Sequence, residues 1–154
     1  MTAFVRATTA SFVAITAAVA LAGCSLLSPE LPRDDNGRVL ESAVIRSTQL
    51  LEGDCFTFVD GTNLSEAEVA PCIDSHTHIV IGTGELAKAT IREAGSLQNA
   101  VSSACSDTFS AFKETVADGA RPDQEFIISE RTTDDGVLIT DYACIATDEP
   151  VPEA

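Results

Sequence analysis

The residues of this chain best suited to chemistry stand in one run, Asp74-Ser75-His76-Thr77-His78, which contains both histidines of the sequence. On a β-strand alternate side chains share a face, so Asp74, His76 and His78 would project together. Two imidazoles and a carboxylate are ligands that zinc or copper accepts. A metal site at Asp74, His76 and His78 is therefore one reading of the run. The competing reading makes it the solvent face of a half-buried strand, with Ile73, Ile79 and Ile81 turned inward. His76 then has a structural role, hydrogen-bonding a nearby loop and ordering the turn at Cys72. Other chemistries find less support. Ser75 would point to the opposite strand face from His76, so adjacency alone does not pair them as nucleophile and base. The sequence holds no Gly-x-Ser-x-Gly elbow. Gly82-Thr83-Gly84 lacks the lysine of a phosphate cradle. Asp134, Asp135, Asp148 and Glu149 fall in turn or tail sequence, where runs of charge are solvated. The expectation is a chain with no catalytic residues and no cofactor; a weak hydrolase is the last alternative.

Thiol chemistry is the other possibility, and it divides the five cysteines into one and four. Cys24 ends the tetrapeptide Leu21-Ala22-Gly23-Cys24, directly after an apolar run from Phe12 to Leu21. That run is shorter than the roughly 20 residues a membrane-spanning helix needs. It suits a secretory signal with a small-residue cleavage site. The tetrapeptide resembles the lipobox of bacterial lipoproteins. The resemblance implies cleavage before Cys24, a diacylglycerol on its sulfur, and anchorage on the extracytoplasmic face of the cell membrane. Two acyl chains suffice for stable anchoring.

Cys55, Cys72, Cys105 and Cys144 are then an even set in an oxidising compartment, where disulfides are expected. Of the three connectivities, Cys55–Cys72 with Cys105–Cys144 is preferred. The first flanks a hairpin; the second would fasten a helix to the last strand. A zinc site is the competitor, but the sequence offers no C-x₂-C pair. Pairing all four would also leave no thiolate for a cysteine enzyme.

Charge and composition set the frame for these residues. The 154-residue chain carries a formal charge of −15, and removal of residues 1–23 takes away Arg6 and deepens it. Such a surface disfavours nucleic acid and anionic headgroups. The partners expected are the membrane, through the lipid on Cys24, and a protein of the cell envelope. The chain divides into a signal peptide at 1–23, a lipidated Cys24 with a flexible tether at 24–45, one domain at 46–147 and an acidic tail at 148–154. The tether is read from Pro29, Pro32, Asp34, Asp35, Asn36 and Gly37. The tail is expected to be disordered.

Within the domain, residues 53–60 alternate as a strand does, and Asp60-Gly61-Thr62-Asn63 is a turn signal. Strands are expected over Glu68–Ile73 and His76–Gly82, the second ended by Gly82 and Gly84. Glu85–Ala94 reads as a short helix. Leu97, Val101, Cys105, Phe109, Phe112 and Val116 recur at spacings of three and four, which predicts a helix over about 97–117 with Cys105 on its buried face. Ser96 is the expected N-cap and Gly119 the left-handed residue beyond the C-terminus. Glu125–Glu130 and Val137–Ala146 flank Asp135-Gly136 as a hairpin. Leu138, Thr140, Tyr142 and Cys144 share one face of the last strand; Val137, Ile139, Asp141 and Ala143 share the other. The fold class expected is α+β, one antiparallel sheet crossed by the 97–117 helix.

Two blocks of this domain resemble the septum formation-related domain of envelope proteins in high-GC Gram-positive bacteria. The first is Leu51-Glu52-Gly53-Asp54-Cys55-Phe56 with Val69-Ala70-Pro71-Cys72-Ile73-Asp74-Ser75-His76. The second is Cys105 with Phe109, followed by Cys144. Together they span about residues 50–146. The chain departs from the family pattern at Ile79, where a glutamate is usual, at Thr140, where an arginine falls, and in having no tryptophan. The resemblance implies a disulfide-bonded extracytoplasmic module in which Cys55, Cys72, His76, Cys105 and Cys144 are structural positions. It also implies a link to septum formation or cell-envelope assembly. It implies no reaction.

Overall fold

The computed structural model describes residues 31–61 and 63–147. Cys24, the signal peptide and the acidic tail lie outside the described residues. The fold is α+β: a six-stranded antiparallel sheet, one long helix and two disulfides. The elements are β1 (Ala43–Arg46), a 3-10 turn (Ser47–Gln49), β2 (Cys55–Asp60), β3 (Asn63–Ala70), β4 (His78–Leu86), α1 (Lys88–Glu93), α2 (Leu97–Lys113), β5 (Gln124–Thr132) and β6 (Leu138–Thr147). The strand order is β1-β3-β2-β4-β6-β5.

Two hairpins build the sheet. In one, β2 pairs β3 with Cys55 opposite Ala70 and Asp60 opposite Asn63. In the other, β5 pairs β6 from Gln124–Ala146 to Thr132–Leu138, closed by Gly136 at φ +77°. That positive φ is one a glycine adopts without strain, as the Asp135-Gly136 signal implied. The hairpins are joined through β4, which runs along most of β6 but meets β2 only at Cys55–Ile79 and Phe56–His78. The narrow seam lets the sheet curl. The 3-10 turn touches both β3 and β5, strands far apart in the sheet order, so the curl brings them to opposite sides of it.

Each face of the sheet carries its own core. On one, Phe56, Val69, Val80, Ala143 and Ile145 are buried with Val39 and Leu50. On the other, Val101 and Cys105 of α2 meet Leu86 and Cys144, with Tyr142 and Phe126 packed alongside. Helix α2 begins where Ser96 accepts a hydrogen bond from the Asn99 amide at 3.1 Å. It ends at Lys113, short of the expected 117. There the Thr115 hydroxyl and amide both donate to the Phe112 carbonyl, which diverts that acceptor from a further helical turn. Gly119 has φ +94°, but in a separate turn rather than at the helix terminus.

Three other expectations need correction. Gly82 and Gly84 do not end β4, which continues to Leu86, so Glu85 and Leu86 belong to the strand and α1 is confined to 88–93. The glycines clear space: a Cβ on Gly84 would stand 2.5 Å from the Tyr142 hydroxyl, and one on Gly82 3.1 Å from Thr108 of α2. Strand β3 spans 63–70 rather than 68–73. Pro71 has no amide to continue the ladder, and Ile73, expected inside, is 95 % exposed. Residues 31–45, read as tether, are folded. Arg33 bridges Val39 across a turn in which Asp34 accepts from the amides of Asn36 and Arg38, Val39 is buried, and β1 pairs with β3. The Asp-Asn-Gly cluster there makes a tight turn, not a flexible linker.

Candidate functional site

The run from Asp74 to His78 does not lie on one strand. Pro71 to Thr77 form a loop, and only His78 enters β4. Its turn is closed by the Asp74 amide donating to the Pro71 carbonyl at 2.9 Å. His76 Nδ1 lies 2.8 Å from the Asp74 carbonyl, within the same loop. His78 leaves the loop and turns inward. Its ring stacks on Phe56 at 5.2 Å between centroids and meets Phe58 edge-on at 5.0 Å. Nδ1 is 2.7 Å from the Thr77 hydroxyl, and Nε2 is 3.6 Å from a Glu125 carboxylate oxygen. Burial among the rings lowers its pKa from the ordinary 6.5, against a smaller upward pull from Glu125. The alternation argument thus fails for Asp74 and His76, because the loop carries them off the strand. Among the described residues no three His, Cys, Asp or Glu side chains converge on a point that could hold a metal ion.

A cleft of about 260 Å³ opens between the 3-10 turn and the curled sheet. Glu85, Asp141 and Ser129 are register partners across β4, β6 and β5, so they form one row along its wall. Arg131 ties the two carboxylates together: Nε donates to Asp141 at 2.8 Å and Nη2 donates to Glu85. Ser47 and Thr48 face the row from the other side. Sequence reading missed this row, since it assigned Glu85 to a helix and treated Asp141 only as one member of a strand face.

The four cysteines pair as Cys55–Cys72 and Cys105–Cys144. The first ties the loop after β3 to β2; the second ties the buried face of α2 to β6. The Gly53-Asp54-Cys55-Phe56 run is also spent on architecture. Gly53 takes φ +86° and donates its amide to Val80. Asp54 is 2 % exposed and accepts from Arg33 twice, at 2.6 and 2.9 Å, and from the Leu51 amide at 2.8 Å. Cys55 is in the disulfide, and Phe56 is fully buried. Arg33 was invisible as a partner because a tether reading gave it no reason to be near Asp54.

No family model matches the chain, and neither does a curated protein or a solved structure. No helix among the described residues is long and apolar enough to cross a membrane.

Proposed function

We propose that the protein is an extracytoplasmic lipoprotein, held to the cell membrane through a diacylglycerol on Cys24. Its folded domain acts as a non-catalytic binding or scaffolding module for a protein of the cell envelope. The observation that carries this reading is the pairing of all four domain cysteines behind a lipobox. Disulfides persist outside the reducing cytosol, and the lipobox supplies the route there. Binding is favoured over catalysis by how the able side chains are used. His78 packs against Phe56 and Phe58, Asp54 is held by Arg33, and Arg131 bridges Glu85 and Asp141. The resemblance quoted above points to septum formation or envelope assembly as the setting.

Fractionation of cells expressing the full chain tests the anchor. The wild type should sediment with membranes and Cys24→Ala should be released; equal membrane association of the two contradicts the reading. Crosslinking of the anchored wild type in living cells tests the binding role. Recovery of a division or wall-assembly protein is expected, and recovery of cytosolic proteins alone contradicts it.

A further inference from the structure

We infer that the loop carrying Ile73, with the adjoining Arg38–Leu40 segment, forms a face that rests on the phospholipid surface of the membrane. The inference depends on the lipid anchor proposed above. Only residues 25–30 separate Cys24 from Leu31, and Leu31 already packs against the core. Seven residue steps reach about 25 Å when fully extended. A domain of this size has a radius of gyration of about 13 Å, and so is roughly 35 Å across. The tether is shorter than the domain is wide, so the surface where the chain enters the fold is kept turned toward the bilayer.

That surface is unusual for this protein. Pro32 accepts from the Leu40 amide at 3.0 Å and Arg33 bridges Val39, which places the start of the fold beside the 38–40 segment. Arg38, Val39, Cys72 and Ile73 then line one depression of about 350 Å³. Ile73 is 95 % exposed and Leu40 57 %. Ile73 is presented rigidly: it sits inside the turn closed from Asp74 to Pro71, next to a cysteine bonded to β2. An apolar side chain held out on a stapled turn loses little conformational freedom when it enters an interface. Charge does not drive this contact: Arg33 is taken up by Asp54 and Arg46 lies opposite Glu66, so the face would meet the bilayer through its apolar side chains, Ile73 and Leu40.

The absence of tryptophan from the sequence allows a direct test. Ile73→Trp and Val137→Trp each give the full chain a single indole at an exposed site. Val137 is 56 % exposed and lies at the opposite end of β4 and β6, about 30 Å away along the strands. The lipid-bearing proteins are reconstituted into phosphatidylcholine–phosphatidylglycerol vesicles with and without brominated acyl chains. The Ile73→Trp emission is expected to shift to the blue and to be quenched several-fold more than that of Val137→Trp. Equal quenching of the two, in protein that floats with the vesicles, overturns the membrane face and leaves the anchor intact. Protein that does not float overturns the anchor and this inference together.

Discussion

His78 is the one imidazole drawn into the packed interior, and its position has a thermodynamic consequence. Partial burial disfavours the charged ring and outweighs the upward pull of Glu125, so the folded chain holds this proton less tightly than the unfolded chain does. As pH falls below about 6.5 the unfolded state takes up the proton first. The stability that neutral His78 contributes is present above that pH and is lost as pH falls through the depressed folded pKa. Melting temperature measured from pH 8 to 5 should therefore drop more steeply for the wild type than for His78→Gln. Parallel curves would contradict the assignment. Asp54 poses the opposite problem, a carboxylate almost wholly buried and dependent on Arg33. Arg33→Ala leaves that charge without its partner and should cost about 3 kcal/mol in urea unfolding. A change near zero would show that residues 31–39 do not pack as described.

At the scale of elements, the disulfides differ in what they join. Cys105–Cys144 closes the longer loop, with a sequence separation of 39 against 17, and both its residues are buried. Loop-closure entropy alone gives about 4 kcal/mol for it and about 3 kcal/mol for Cys55–Cys72. Cys105→Ser/Cys144→Ser should be the more destabilised double variant, and the reverse order of urea midpoints would count against the core described around α2. This bridge was legible in the sequence, because the three-and-four spacing around Cys105 placed it on the buried face of a helix. Hairpins were legible from Asp135-Gly136 and Asp60-Gly61. What escaped was whatever depended on distant partners. Gly82 and Gly84 read locally as strand ends, yet they exist to admit Thr108 and the Tyr142 ring. Glu85 and Asp141 become neighbours only through the β4–β6 register. The histidine run misled for a similar reason: alternation holds on a strand, but Pro71 and the Cys72 disulfide hold the chain in a loop until Thr77.

The proposed lipoprotein combines a short tether with a stapled domain. Folding of residues 31–45 onto the sheet shortens the span from Cys24, so that with the proposed lipid anchor the orientation of the domain at the membrane would be a property of the fold. A sequence rich in proline, aspartate and glycine did not disclose this, since tight turns and flexible linkers use the same residues. On the proposed reading export joins these features, because both the lipid and the disulfides require it. Intact-mass analysis of the native protein purified from membranes, after alkylation without reduction, reads both at once. The expected mass is that of a chain beginning at Cys24, diacylated there, with no alkylated thiol. A chain beginning at Met1, unacylated and alkylated at Cys55, Cys72, Cys105 and Cys144, would contradict it.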